Sequence, residues 1–179
     1  MLPEIESRRS IRRYLNKPVE PEKLQELFES ARLAPSGSNT QPWVFIAVTN
    51  QTLKEQLCAA DHQQNWMLGA PVFIVCVADI RCRVAAETPA ELDENSPLPE
   101  LKLVIRDTAI AMEHILLAAE HLGLAACWTA WFEQKDVRPV LNIPPDKYVC
   151  GIVTLGYADE APKQRPRKPL ETMLRYETW

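Results

Sequence analysis

The spacing of apolar residues along the chain predicts several helices. Leucine and phenylalanine recur at three- and four-residue steps between Pro21 and Ala34, which is the period of a helix with one buried face. The stretch 101–122 carries the longest such pattern. So many of its positions are apolar that we expect it to be buried in the core or against a second subunit. Shorter helices are predicted at 3–6, after an N-cap at Asn50, and at 134–141.

Four largely apolar runs, the first of them also β-branched, predict the strands of a sheet. The second run is apolar on both faces, which is typical of a strand covered by helices on both sides, and we expect the first to be buried as well. The four runs are Trp43–Thr49, Ala70–Ala78, Leu124–Thr129 and Tyr148–Leu155. The polar, acidic and proline-dotted stretch 79–100 predicts a surface segment of the length often found in functional covers. The tail at 170–179 has no evident packing site, so we expect it to lie along a partner chain.

Composition narrows the class of protein. The chain has 179 residues, of which 46% are apolar and 25% charged, and this fits a single globular domain over 1–179. The net charge of −4 argues against a nucleic-acid-binding protein. No apolar run approaches the ~20 residues that cross a bilayer, and the N-terminus lacks the pattern of a signal peptide. We therefore expect a cytoplasmic protein that binds neither nucleic acid nor membrane.

Cysteine and histidine spacing gives no sign of a metal site. The five cysteines are odd in number and contain no C-x-x-C pair, so neither a disulfide framework nor a zinc site is expected. His114 and His121 share a predicted helix but lie about 10 Å apart along its axis, which is too far to share a metal ion. The chain also lacks G-x-G-x-x-G and G-x-x-x-x-G-K, the glycine-rich motifs that cradle phosphates.

Two basic clusters stand near opposite ends of the chain. The first is the run Arg8-Arg9-Ser10-Ile11-Arg12-Arg13, and the second comprises Lys163, Arg165, Arg167 and Lys168. Guanidinium groups present forks of donors that match phosphate oxygens. In an acidic chain such clusters indicate a locally bound anion, although a solvated basic patch is the alternative interpretation. A small polar loop at 36–41 offers hydroxyls and amides. Together these features fit a phosphorylated ligand with a planar head, such as a flavin nucleotide.

The segments Ser7–Tyr14 and Ala34–Trp43 resemble the paired N-terminal motifs of the nitroreductase family, which are FMN-dependent oxidoreductases. The stretches 123–132, 155–157 and 162–170 follow the family pattern in the same order, so the resemblance spans nearly the whole chain. It implies an α+β fold in which a mostly antiparallel central sheet packs between helices. It also implies an intertwined homodimer that swaps its C-terminal tails and holds two FMN molecules at its interface.

The resemblance further implies which residues bind the cofactor. Arg8 is expected to hold the phosphate, while Ser10 and Arg12 approach the ribityl chain and the pyrimidine edge. A backbone N–H near Ala130 is expected to face flavin N5, and either Gln63 or Gln64 falls near the pyrimidine edge. The implied FMN-binding residues are Arg8, Arg9, Ser10, Arg12, Pro35, Ser36, Gly37, Ser38, Asn39, Gln41, Trp128, Thr129, Ala130, Arg165 and Arg167. The loop that begins at Pro35 is expected to serve the site of the other subunit. No catalytic side chain and no metal are implied.

The activity that the resemblance implies is transfer of hydride from NADH or NADPH through flavin N5 to an electron-poor small molecule. The acceptor would be a nitroaromatic, a quinone or an enone, reduced by a ping-pong mechanism. Two alternatives stay open, namely a flavoprotein of specialised chemistry, such as flavin fragmentation or reductive dehalogenation, and a non-catalytic FMN carrier or sensor. The chain departs from the family at Trp131, where many members carry glycine, and at Gly37, where many carry a second serine. A tryptophan at that place would narrow the space over the flavin.

Overall fold

A computed structural model describes residues 1–179. The helices are α1 (Pro3–Ser7), α2 (Pro21–Arg32), α3 (Gln51–Ala60), α4 (Pro99–His121) and α5 (Gln134–Val140). The strands are β1 (Trp43–Val48), β2 (Val72–Asp79), β3 (Ala125–Thr129) and β4 (Lys147–Gly156). Short 3-10 turns occupy Gly37–Asn39, Asn65–Gly69, Ile80–Cys82 and Leu170–Thr172. None of the helices is long and apolar enough to cross a membrane.

The four strands form one sheet in the order β1-β2-β4-β3, and every neighbouring pair is antiparallel. The central strand β2 is buried on both faces, as its sequence predicts. Ile74 packs in a cluster with Met112 of α4, whereas Phe73 packs in a second cluster with Leu57 of α3. Because neighbouring residues of a strand point to opposite faces, these clusters form the two layers of the core. The structure thus confirms the α+β architecture.

The expectation that the first strand is buried is wrong. β1 lies at one edge of the sheet and pairs only with β2. Val44 is 48% exposed, and burial along the strand alternates irregularly. An apolar, β-branched sequence predicts a strand but does not say whether a neighbour covers its outer edge.

The predicted helix boundaries agree with the structure to within two residues, and the predicted caps are present. The side chain of Asn50 accepts a hydrogen bond from the Leu53 amide and so caps α3. Gly123 follows α4 with a φ of +69°, which is the left-handed conformation that glycine adopts at helix ends. Helix α2 ends at Arg32, two residues before its predicted end.

Helix α4 packs on the sheet but keeps an apolar surface. Met112 and Ile115 are fully buried against the sheet. Leu103 and Ile110 are each 40% exposed, and since they lie two helical turns apart they share one outward face. The core therefore accounts for one side of this helix and leaves the other uncovered within the chain.

The segment between β2 and α4 is folded onto the protein surface. Arg81 donates to Asp146 and to the carbonyl oxygens of Ala85 and Thr88, and Leu92 is fully buried. The C-terminal stretch 161–179 behaves differently, because every one of its residues is exposed. It carries five large apolar side chains without cover, namely Leu170, Met173, Leu174, Tyr176 and Trp179.

Candidate functional site

The two basic clusters meet in one cleft of about 380 Å³. Its walls come from residues near both ends of the sequence, and no hydrophobic side chain lines it. The lining residues are Arg8, Arg9, Ser10, Arg12, Glu160, Pro162, Lys163, Arg165 and Arg167. The structure therefore places together the N-terminal and C-terminal residues that the sequence predicts to bind one anion.

Backbone pairing with the sheet fixes the N-terminal wall of this cleft. Ser10 forms a parallel bridge with Ala126 beyond the edge of β3, and the Ile11 amide donates to the Ala126 carbonyl at 3.1 Å. The Tyr14 hydroxyl lies 2.8 Å from the hydroxyl of Thr154 on β4 and donates to the Ile11 carbonyl at 2.6 Å. Burial raises the pKa of Tyr14 well above its ordinary value. These contacts hold the arginine-rich run against the end of the sheet.

Glu160 is the carboxylate of the cleft, and its bonds go to backbone groups. One of its oxygens accepts the amides of Arg12 and Arg13 at 2.6 and 3.1 Å. No carboxylate lies within ion-pair distance of any of the six cationic side chains that line the cleft. Sequence reasoning missed Glu160. Its carboxylate holds the backbone of the arginine run in place and does not pair with the arginine side chains. Uncompensated cations at this density attract anions.

The cations differ in what else they contact. Arg9 donates to the carbonyl oxygens of Glu6, Ser7 and Arg8, so it also closes the turn after α1. The Arg12 guanidinium lies 5.3 Å from the centre of the Trp66 ring, a distance typical of a cation–π contact. The aromatic contact turns Arg12 toward the segment that follows α3.

A network of polar groups lies next to this cleft and joins two segments. The carboxylate of Asp61, which is fully buried, accepts the Thr129 hydroxyl at 2.6 Å and the Trp131 amide at 2.8 Å. The Gln64 side-chain amide donates both to Asp61 and to Thr129 at 2.7 Å. The Trp66 indole then donates to the Gln64 oxygen at 3.1 Å. The stretch after β3, where Ala130 is predicted to face the cofactor, is thus fixed to residues 61–66.

The two glutamines that sequence reasoning left open differ in their contacts. Gln64 is bonded to Thr129, whereas the exposed Gln63 makes no side-chain bond. Sequence reasoning missed Asp61 and Trp66. The only available signal was a run of polar and aromatic residues, Asp61-His62-Gln63-Gln64-Asn65-Trp66, directly after a predicted helix.

The aromatic residues around β3 point in different directions. The Trp128 indole lies against the backbone of Gly151 and near Met112, which is the α4 side of the sheet, so it faces away from Asp61. Trp131 is 63% exposed and stacks on the His62 ring, with ring centres 4.4 Å apart and planes 6° from parallel. His62 also bonds the Trp131 carbonyl. The result is an exposed, flat aromatic pair beside Thr129.

The predicted loop at 35–41 does not reach this cleft. Ser10 lies beyond β3, while the loop enters β1 at the opposite edge, which is four strand spacings or about 19 Å away. Across the sheet, Ala126 is level with Val72 of β2, and Trp43 is level with Ala78 of the same strand. Because Val72 and Ala78 lie near opposite ends of β2, these two levels are about 20 Å apart along the strands. The six predicted loop residues therefore occupy the diagonally opposite corner: Pro35, Ser36, Gly37, Ser38, Asn39 and Gln41.

Contacts with other elements hold this loop in an unusual conformation. Ser38, Asn39 and Gln41 all have positive φ values, between 47° and 54°, in the region that non-glycine residues rarely adopt. Arg83 donates to the Gly37 carbonyl at 2.8 Å, and the Gly37 amide donates to Asp107 at 3.2 Å. Backbone strain of this kind is kept where neighbouring contacts impose it, and it concentrates at functional sites.

Close packing against Arg83 explains why a residue without a side chain stands at position 37. A Cβ atom at this position would lie 2.6 Å from the Arg83 guanidinium. A side chain at this position would therefore have to displace the Arg83 guanidinium, which holds the loop.

The chain is similar in sequence to known proteins over most of its length. A sequence model described as the nitroreductase family matches residues 5–157. A Thermus thermophilus protein named NADH dehydrogenase is 30% identical over 186 residues, covering 93% of this chain and 91% of its own. A Bacillus subtilis protein named FMN reductase [NAD(P)H] is 27% identical over 176 residues, covering 96% of this chain and 71% of its own.

Solved structures give the same result. A Desulfovibrio desulfuricans protein in complex with FMN superposes with a TM-score of 0.83 at 25% identity, covering 99% of this chain and 96% of its own. The family model covers most of the chain, and the sheet and its flanking helices match the fold. The chain belongs to the nitroreductase family.

Proposed function

We propose that this protein is an FMN-dependent NAD(P)H oxidoreductase formed by one domain over residues 1–179. The observation that carries the proposal is the cleft in which cations from both ends of the sequence converge without carboxylate partners. Membership of the nitroreductase family supports it, as do the names of the relatives that act on NADH or FMN.

The residues of the cleft fit the phosphate end of FMN. Arg8, Arg165 and Arg167 present guanidinium forks toward a cleft without apolar walls, which suits a phosphate and a ribityl chain rather than a planar ring. The flat surfaces that a ring would need lie next to the cleft, at Trp66 and at Trp131. The layout thus offers a charged end and an aromatic end to one elongated ligand.

FMN, when bound, supplies hydride transfer between NADH or NADPH and an electron-poor acceptor such as a nitroaromatic, a quinone or an enone. The residues of the chain bind and orient the reactants. Arg12 and Gln64 are proposed to hydrogen-bond the pyrimidine edge, and the Ala130 amide is proposed to face N5. Nicotinamide and acceptor would use the same exposed face beside Trp131 in turn, which is a ping-pong arrangement.

We further propose that the working unit is a homodimer in which residues 35–41 of one subunit complete the FMN site of the other. Within one chain that loop lies at the far corner of the sheet from the basic cleft. The uncovered apolar face of α4, with Leu103 and Ile110, and the exposed tail with Trp179 are surfaces that a second copy would bury. Both features support an interface that is large and formed partly by the tail.

The test is the visible spectrum of the purified protein, before and after FMN is added. We expect flavin absorption, which either NADH or NADPH bleaches under anaerobic conditions, and a dimer by light scattering. Turnover with a quinone is expected to follow. A well-folded monomer whose melting temperature does not change with FMN would overturn both the cofactor and the dimer.

A flavoprotein of specialised chemistry is the second candidate. The stacked pair of Trp131 and His62 favours it, because this pair narrows the space over the site and limits the shapes that fit. Such an enzyme would bind FMN and accept hydride from a nicotinamide, yet turn over poorly with a quinone.

A further inference from the structure

Asp61 is an unusual residue for the end of a surface helix, because it is fully buried and has no cationic partner. No lysine, arginine or histidine nitrogen lies within ion-pair distance of its carboxylate. Removing a carboxylate from water without a counter-charge is unfavourable, and hydrogen bonds recover only part of the lost hydration. Packing alone does not require a charged group here.

The carboxylate satisfies donors from two separate segments. One oxygen accepts the Trp131 amide, and the other accepts both the Thr129 hydroxyl and the Gln64 side-chain amide. All three partners donate, so a group with two acceptor oxygens is the one that matches them. Asp61 thereby sets the orientation of the stretch after β3 and of the Gln64 amide at the same time.

The orientation of Gln64 is passed on toward the basic cleft. Because its nitrogen faces Asp61 and Thr129, its oxygen is left to accept the Trp66 indole N–H. The Trp66 ring in turn lies against the Arg12 guanidinium. One carboxylate thus determines the arrangement of groups that span from Arg12 to Trp131.

We propose that Asp61 is the positioning residue of the flavin-facing surface. Its carboxylate locks residues 61–66 against 129–131, and so presents Gln64, Trp66 and the Ala130 amide as one rigid unit to the isoalloxazine ring. The proposal rests on the proposed FMN function and goes beyond it by assigning a role to a residue that is itself out of reach of solvent.

The buried charge also has an electrostatic consequence. With FMN bound as proposed, a negative charge on Asp61 would disfavour the additional negative charge that accompanies flavin reduction and would therefore lower the reduction potential. Removing the charge while keeping the shape of the side chain is expected to move the potential of the bound flavin toward positive values.

The Asp61→Asn variant tests both effects, since it keeps the side-chain size but replaces one acceptor by a donor. In one orientation the new amide would oppose the Trp131 N–H. In the other it would oppose the Gln64 nitrogen, and turning Gln64 over would set its nitrogen against the Trp66 indole N–H. We expect the FMN dissociation constant to rise about tenfold and the midpoint potential to become more positive. Asp136→Asn, an exposed aspartate on α5, is the matched control and is expected to change neither quantity.

The measurements separate the possible explanations. Wild-type protein that does not bind FMN would overturn the proposed function itself. Wild-type protein that binds FMN, together with an Asp61→Asn variant of unchanged affinity and potential but lower melting temperature, would show that Asp61 only packs.

If the Asp61→Asn variant does not fold, the Thr129→Val variant tests the same proposal. This near-isosteric change removes one donor to Asp61 and one acceptor of Gln64. We expect a smaller loss of FMN affinity, of about threefold, with the flavin spectrum altered. Affinity and spectrum identical to those of wild type in this variant would also overturn the proposal.

Discussion

The basic cleft and the loop at 35–41 are the two parts proposed for one FMN site, and the fold builds them differently. The cleft is complete within one chain, because Ser10 pairs with β3 and Glu160 brings the C-terminal cations beside the arginine run. The loop lies at the opposite corner of the sheet, where Arg83 and Asp107 hold it. One part therefore forms when a single chain folds, whereas the other would join the site only if a second subunit supplied it, as proposed above.

The two parts would also contribute to FMN binding through different interactions. The cleft attracts its ligand by uncompensated charge, which is strong and depends on salt. The loop offers no charge of its own and depends on a backbone shape with three left-handed residues. We expect changes in the cleft to have larger effects on affinity than changes that only loosen the loop.

The largest expected effect comes from mixing two defective subunits. A cleft-deficient chain would carry Arg8→Ala and Arg165→Ala, and a loop-deficient chain would carry Asn39→Pro, because proline requires a φ near −65° whereas Asn39 has +54°. Each homodimer should purify almost free of flavin. A mixed dimer should regain one FMN per dimer, since one of its sites combines an intact cleft with an intact loop.

The flavin-to-protein ratio after purification through two different affinity tags measures this recovery. Differently tagged wild-type chains, purified together, serve as the control with two FMN per dimer. If mixed dimers stay as empty as the two parents, the loop and the cleft of one site belong to the same chain, and the comparison fails.

Arg8→Ala is expected to raise the dissociation constant of FMN by about 10- to 100-fold, since a hydrogen bond between charged groups contributes about 1.5–3 kcal/mol. Titration of the apo-protein with FMN measures it. Arg32→Ala is the control, because the Arg32 guanidinium is exposed on α2 and pairs with Glu29. An Arg8→Ala variant that purifies with a full complement of flavin would show that the phosphate lies elsewhere.

Arg83→Ala is expected to weaken FMN binding by about three- to tenfold, because it removes a hydrogen bond from a strained loop and leaves every cation of the cleft in place. Gly37→Ala should have a similar effect, since its Cβ would displace the same guanidinium. The double variant is informative, because two changes that break one contact should not add. Strictly additive losses would separate Gly37 from Arg83.

The smallest expected effect is on stability at alkaline pH. It depends on Tyr14, which holds the arginine-rich run against the sheet. Burial raises the pKa of Tyr14, so above its ordinary value near 10 the unfolded chain loses the proton while the folded chain keeps it. The free energy of unfolding should therefore fall as the pH rises above about 10. In Tyr14→Phe this decline should be shallower, as measured by the melting temperature at pH 8 and pH 11. Equal declines in both proteins would assign the effect to other groups.

Local rules were sufficient for most of the elements. The N-cap at Asn50, the left-handed Gly123 after α4 and the apolar run of β2 up to Ala78 follow from turn chemistry and periodicity, which act over a few neighbouring residues. The two basic clusters could be recognised in the same way. Their convergence was an inference from chemistry, because cations so dense in an acidic chain indicate a shared anion.

Long-range contacts decided the rest. Asp61 and Thr129 lie 68 positions apart, and nothing near either residue marks it as a partner of the other. The exposed edge at β1 and the diagonal placement of the loop both follow from the strand order β1-β2-β4-β3. Strand order depends on which faces and edges pack together in three dimensions. The sequence by itself therefore determined the elements and the charges of this protein, while the tertiary structure alone decided which of them share a site, because hydrogen bonds and strand pairing join residues that no local pattern connects.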